Sequence, residues 1–353
     1  MRGITRAAAY RPHRVVAGHH VAAPDEDGFT LAASALERLE DASAVLGPPA
    51  RLLLAGELPP DAGIDIVRFV GYPLPTQQFG TGARGLSEAW DAATATARAA
   101  EPVLVIAVDL PSRTARTGDA GGPPYDDAAV ALRVEDQGEA TPKLGQRPEE
   151  DGSATLPLLA LGRERLTSEP DRWVGDFAAV GPATDAQPAP RTTRAPLSPD
   201  GPVSQGAYIP RPRYLESLPS RWRFTGEKCG ACGAVAFPPR GRCHQCGATD
   251  GLEAVRLPRD DGEVVAVTTI RSGGQPTEFD EQVASEGQYT VVLVELLPGA
   301  RVTLQVADAR PGEVAVGSRV ATRLRRLYPM EGEWRYGRKA VPSAGARRSG
   351  SPS

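Results

Sequence analysis

No cysteine lies outside residues 229–246 of this 353-residue chain, and the four within that window form two C-x-x-C pairs. A scattered extracellular disulfide framework is therefore excluded, and the close pairs read as thiolate ligands in a reducing compartment. No run of about 18 apolar residues is present to span a bilayer. The N-terminus lacks the apolar stretch and small-residue cleavage site of a secretory signal, so the expectation is a cytoplasmic protein without membrane attachment. An excess of one charge is also missing. Against 44 Asp and Glu stand 40 Lys and Arg, and the net charge of -4 offers no overall electrostatic reason to bind nucleic acid or an anionic membrane. Histidine is scarce: His13, His19 and His20 near the N-terminus read as surface residues, and His244 sits inside the second cysteine pair.

What is present fits two domains, because single cores usually stop growing near 250 to 300 residues. Hydrophobic residues make up 41% and charged residues 24%, ordinary for a globular protein, whereas 34 prolines and 38 glycines exceed what two compact domains need and imply linker. Residues 29–40 place Leu31, Ala35, Leu36 and Leu39 on one helical face, behind acids at 25–27 where a helix N-terminus favours them. Short apolar runs at 51–56, 102–110 and 128–134 read as strands, and 84–100 as an alanine-rich helix. Alternating helix and strand argues for a parallel α/β sheet over residues 1–177. Residues 178–207 have no apolar periodicity and read as a Pro/Ala-rich linker. Residues 208–251 contain a helical lead-in and the cysteine pairs. Five β-like runs follow, at 253–258, 262–272, 289–297, 301–308 and 318–328, and suit a five-stranded barrel of OB type over 252–342, with a disordered tail at 343–353.

Each segment, C-G-A-C-G and C-H-Q-C-G, reads as a tight knuckle in which the glycine lets the backbone approach a metal. Cys229, Cys232, Cys243 and Cys246 supply four thiolates, which complete a tetrahedral zinc and leave no position for water or substrate. The site is therefore structural. Iron in a rubredoxin-like site is the chemical alternative, and His244 is not needed as a ligand.

A helical lead-in, two knuckles separated by Pro238-Pro239-Arg240 and an OB-like barrel together resemble the zinc-ribbon/OB-fold proteins that accompany thiolase-like enzymes, over about residues 208–342. The resemblance implies a barrel that packs on a thiolase-superfamily subunit and helps bind or channel acyl-CoA. Roles known in that family include an archaeal thiolase and 3-hydroxy-3-methylglutaryl-CoA synthase assembly, steroid side-chain aldolases and an acetyltransferase of phloroglucinols. The N-terminal part, through Gly3-Ile4, Ala9-Tyr10-Arg11-Pro12, Pro24-Asp25-Glu26-Asp27 and the segment from Leu166 to Trp173, is similar to the first half of archaeal-type 3-hydroxy-3-methylglutaryl-CoA synthases.

Departures from that pattern decide the functional expectation. The turn Phe79-Gly80-Thr81-Gly82 carries glycine where the resemblance places the nucleophilic cysteine, and residues 178–206 leave no room for the second half that supplies the catalytic histidines. The chain is thus expected to be a degenerate thiolase-like half fused to a zinc ribbon and OB barrel. It would act as a non-catalytic accessory subunit on a thiolase-like or 3-hydroxy-3-methylglutaryl-CoA synthase-like partner, in acyl transfer or carbon-carbon bond formation or cleavage. Residues 301–348 carry eleven Lys or Arg against four Asp or Glu. Within them Arg323, Arg325 and Arg326 are candidates for the phosphates of a shared coenzyme A thioester, against the plainer reading of a solvated basic surface. Glu57, Asp109, Asp126 and Asp127 are acids near strand ends. The competing reading is a single-stranded nucleic-acid binder using Phe279, Tyr289, Tyr328, Trp334 and Tyr336 as stacking platforms.

Overall fold

The computed structural model describes residues 3–12, 15–16, 19–23, 25–41, 48–59, 61–97, 101–111, 127–136, 153, 155, 158–159, 161, 165, 172–175, 177, 209–270, 288–310, 312–330 and 332–343. The chain divides into two compact units, residues 1–188 and 189–353. The linker expected over 178–207, residues 344–353 of the tail expected over 343–353, and His13, Asp126 and Phe279 lie outside the described residues, whereas Ser343 N–H donates to Arg319 O at 3.2 Å.

The N-terminal unit runs β1 (Gly3–Tyr10), β2 (Val15–Val16), β3 (His19–His20), α1 (Gly28–Asp41), β4 (Arg51–Gly56), α2 (Ala62–Val70), β5 (Thr76–Gln78), α3 (Gly82–Ala97), β6 (Val103–Asp109), β7 (Ala128–Glu135) and β8 (Trp173–Gly175). Its sheet has the order β5-β4-β6-β7-β1-β8. All neighbours are parallel except β7, which is antiparallel to both β6 and β1. The expected parallel sheet thus holds with one strand reversed. Every residue of β6 is buried, as its unbroken apolar sequence requires of a strand covered on both faces. Leu86, Ala89, Ala93 and Ala97 of α3 pack on one face with Leu53, Val105 and Val130. The three alanines leave little bulk between that helix and the sheet. Helix α1 opens on a reciprocal cap: Thr30 N–H donates to Asp27 Oδ1 at 3.0 Å and Asp27 N–H to Thr30 Oγ1 at 2.8 Å. Gly56 ends β4 at φ +103, where a Cβ would stand 1.9 Å from the Val108 carbonyl oxygen, so no other residue fits between β4 and β6.

The C-terminal unit begins with two short helices, α4 (Arg211–Glu216) and α5 (Leu218–Arg223), followed by β9 (Thr225–Cys229), β10 (Val235–Ala236), β11 (Leu252–Arg256), β12 (Gly262–Ile270), β13 (Tyr289–Leu297), β14 (Ala300–Gln305), β15 (Arg319–Met330) and β16 (Glu333–Pro342). Strand β11 does not join the barrel set: it pairs with β9 in a three-stranded ribbon sheet, β10-β9-β11. The five-stranded sheet is β14-β13-β12-β15-β16, all antiparallel, and its fifth member is the unforeseen β16. A closed barrel is not found among the described residues. The outer strands meet in one isolated parallel bridge, Val306 with Ala340, where Ala307 N–H donates to Ala340 O at 2.8 Å. The core inside this sheet consists of Val264, Val292, Val294, Leu304, Val320 and Ala340 with their neighbours, and Phe224 and Leu257 carry it into the ribbon. The helical lead-in locks to β16. Tyr336 N–H donates to Tyr214 Oη at 2.8 Å, and its carbonyl accepts from Tyr214 Oη at 3.2 Å and Trp222 Nε1 at 3.0 Å.

Candidate metal centre

The two knuckles repeat each other bond for bond. In the first, Cys229 N–H donates to Ala234 O at 2.9 Å and Gly233 N–H to Cys229 O at 2.8 Å; in the second, Cys243 N–H donates to Ala248 O at 2.8 Å and Gly247 N–H to Cys243 O at 3.0 Å. Both turns close on a left-handed glycine, Gly233 at φ 75 and Gly247 at φ 78, a conformation in which a Cβ is costly. Glu227 steadies the loop between the knuckles by accepting from the N–H groups of Arg240 and Gly241, at 3.2 and 3.0 Å.

These turns bring the four sulfurs together. Their Sγ atoms all lie within 4.8 Å of one another, with Cys229 to Cys246 at 3.7 Å and Cys232 to Cys243 at 3.5 Å. A zinc-sulfur bond of about 2.3 Å in a tetrahedron requires sulfur separations of about 3.8 Å, so the arrangement fits such an ion. Cys229 and Cys243 are buried while Cys232 and Cys246 are exposed. Protons alone would satisfy the set unevenly. The N–H groups of Cys246 and Gln245 hold the Cys243 thiol down to about 6. At Cys232 the Ala234 N–H favours the thiolate, yet hydrogen bonding to Cys243 leaves its thiol pushed up to about 12. A divalent cation resolves that conflict by drawing all four to the thiolate form. His244 is exposed.

The three candidate arginines do not converge. Arg323 reaches Asp260 at 2.5 Å, and Arg325, fully buried, donates to Asp308 Oδ2 at 2.7 Å. Arg326 is half-buried, its guanidinium carbon 4.1 Å from the Trp334 ring centroid. Three of the aromatics weighed as stacking platforms, Tyr289, Tyr328 and Tyr336, are buried and offer no face to a base.

In the N-terminal unit, Gly82 opens α3 directly after the turn at 79–81, so the first turn of that helix presents no nucleophilic side chain at this position. The acids near strand ends are engaged. Asp109 accepts from Ser153 Oγ at 2.6 Å and from Thr155 N–H and Oγ1, each at 2.7 Å; Asp127 accepts from Ala22 N–H at 2.6 Å. Burial raises the pKa of Glu57, the Leu110 N–H opposes that rise, and Asp109 and Asp127 add to it. His20, expected at the surface, is buried, with Nδ1 2.7 Å from Pro12 O. Sequence reading also missed the buried pairing of Tyr10 Oη with Glu26 Oε1 at 2.6 Å, which ties β1 to the turn before α1.

Residues 220–253 match the model of the ChsH2, rubredoxin-like zinc ribbon domain. The chain is 34% identical to a DUF35 domain-containing scaffold protein of Methanothermobacter thermautotrophicus over 121 residues, which cover 34% of this chain and 85% of that protein. It is 30% identical to one of Methanocaldococcus jannaschii over 132 residues, 37% of this chain and 89% of that protein. Among solved structures, the Ltp2-ChsH2(DUF35) aldolase aligns at 24% identity over 38% of this chain and 98% of that chain, with a TM-score of 0.30. MvaS in complex with 3-hydroxy-3-methylglutaryl coenzyme A aligns at 22% identity over 38% of this chain and 40% of that chain, with a TM-score of 0.35. Together, the ribbon match and the near full-length coverage of the first two relatives establish that this chain belongs to the family of DUF35 domain-containing scaffold proteins.

Proposed function

We propose that the chain is a non-catalytic scaffold subunit that docks on a thiolase-superfamily enzyme and helps hold or pass its acyl-CoA. One observation carries this reading: the sequence has four cysteines and all four are metal ligands in geometry, so no thiolate is left to attack an acyl group. The name scaffold protein borne by the relatives supports it. So does the N-terminal sequence resemblance to a thiolase-superfamily half that has glycine at the nucleophile position. The ribbon would be loaded with zinc as a structural ion, which supplies no open coordination site. Its residues fix the lead-in and the five-stranded sheet relative to each other through Phe224 and Leu257. The five-stranded sheet is proposed to be of OB type, its outer strands approaching each other only at the Val306 and Ala340 bridge. Coenzyme A thioester is the ligand class proposed to be shared with the partner, with Arg326, which lies over the Trp334 ring, as a candidate phosphate contact.

The test is acylation of intact protein. Incubated alone with acetyl-CoA, the chain is expected to keep its unmodified mass, whereas its complex with a thiolase-superfamily subunit should carry the acyl group on the partner polypeptide. An acyl adduct on the isolated chain would overturn the non-catalytic reading.

A further inference from the structure

The four sulfurs of the ribbon are not equally placed. Cys232 and Cys246, one on each knuckle, are exposed, and Cys229 and Cys243 are buried. Contacts cross between the knuckles: exposed Cys232 stands 3.5 Å from buried Cys243, and exposed Cys246 stands 3.7 Å from buried Cys229. A disulfide has a sulfur separation of about 2.05 Å, so Cys232 and Cys243 need to approach by only about 1.5 Å to form one. Cys243 Sγ also accepts from the N–H groups of Gln245 and Cys246, at 3.4 and 3.5 Å. Those donors keep negative charge on that sulfur, the form that attacks a sulfenic acid.

What the knuckles hold reaches beyond the ribbon. Phe237, between them in sequence, packs edge-on to Phe224 with ring centroids 5.3 Å apart, and Phe224 shares a core with Leu257 and Val264 of the same unit. Cys229 ends β9, whose full length pairs with β11 from Leu252 to Arg256. Any bond that replaces the metal must therefore tie one knuckle to the other if this packing is to survive.

We propose that the ribbon is a redox-sensitive clasp, in which a peroxide exchanges zinc for a disulfide between Cys232 and Cys243. The exposed Cys232 thiolate attacks one peroxide oxygen; the O–O bond breaks, hydroxide leaves and a sulfenic acid forms. The Cys243 thiolate then attacks that sulfur, the S–O bond breaks and a second hydroxide leaves. Two electrons have passed from the two sulfurs to the peroxide. Left with half of the ligand set, Cys229 and Cys246 release zinc as a divalent ion. The new bond keeps Phe237 on Phe224, so the five-stranded sheet stays folded while the ribbon loosens. A disulfide within either C-x-x-C pair would leave the knuckles untied. The inference rests on the zinc reading of the ribbon and is independent of the scaffold role.

The experiment adds hydrogen peroxide to the full zinc-loaded chain under anaerobic conditions. Released zinc is read with a chromogenic chelator, and alkylation with peptide mass spectrometry maps the sulfurs. Zinc release in proportion to the peroxide added is expected, with Cys232 joined to Cys243, Cys229 and Cys246 alkylated, and metal binding restored by dithiothreitol and zinc. Amide exchange should accelerate at Cys229 and Cys243 and stay slow at Val292 and Val294 in the sheet core. Zinc retained against peroxide, sulfinic acid as the main product, or any other cysteine pairing overturns the clasp and leaves the structural zinc site standing. A purified chain that carries and takes up no metal removes the zinc reading and this inference together.

Discussion

At the scale of single residues, charge placement governs what each site does. Four thiolates within 4.8 Å of one another repel unless a cation neutralises them, so metal binding and ribbon folding are one event. Elemental analysis should therefore find one equivalent of zinc per chain, falling below half an equivalent in Cys243→Ser, together with loss of the ribbon's slow-exchanging amides. Arg325 makes the opposite point. Fully buried against Asp308, it is held by the fold, and Arg325→Ala should cost about 3 to 5 kcal/mol in denaturant unfolding by stranding the carboxylate. Glu57 makes stability depend on pH. Its pKa is raised in the folded chain, so its contribution is fully present below the unfolded pKa and is lost as pH rises through the folded value. Glu57→Gln should consequently raise the thermal midpoint more at pH 8 than at pH 4; an equal shift at both would contradict the assignment.

At the scale of elements, legibility in the sequence followed how local the determining physics is. Strands β4, β6 and β7 are predominantly apolar runs, and α1 is both periodic and capped, so each was readable where it stands. The metal ligands were readable for the same reason, since two knuckles are defined within eighteen residues. Strand β16 was not. It interleaves Arg335, Arg338 and Lys339 with its aromatics, and those cations are buried by tertiary packing, where no apolar alternation betrays a strand. Strand β11 was visible as a strand but not as a member of the ribbon, because pairing with β9 is decided by the knuckles. His20 was misplaced because its burial depends on Pro12 and on Asp127, whose N–H donates to the His20 carbonyl at 2.9 Å. The junction of the lead-in with β16 can be tested directly. Tyr214→Phe leaves Tyr336 N–H without its acceptor and should cost about 1 to 3 kcal/mol. Gly56→Ala, which would set a Cβ against the Val108 carbonyl, should exceed that and prevent accumulation of folded protein.

At the scale of the molecule, the chain joins one unit whose first α3 turn is glycine-bearing to another whose four cysteine sulfurs stand in metal-ligand geometry. Neither supplies a thiolate nucleophile. In the basic C-terminal region Arg323 pairs with Asp260 and Arg325 with Asp308, while Arg326 lies over the Trp334 ring. Arg326→Ala should weaken coenzyme A binding by the complex, measured by calorimetry, by about three- to tenfold, as expected for loss of a single charge-assisted contact. The claim at the centre of this account is that catalysis resides on another polypeptide. Native mass spectrometry of the chain purified from its own cells, followed by an acyl-CoA turnover assay of each separated subunit, tests it most directly. The expected result is a complex containing a thiolase-superfamily subunit, with one zinc on this chain and turnover only when that subunit is present; turnover by the isolated chain would show the reverse.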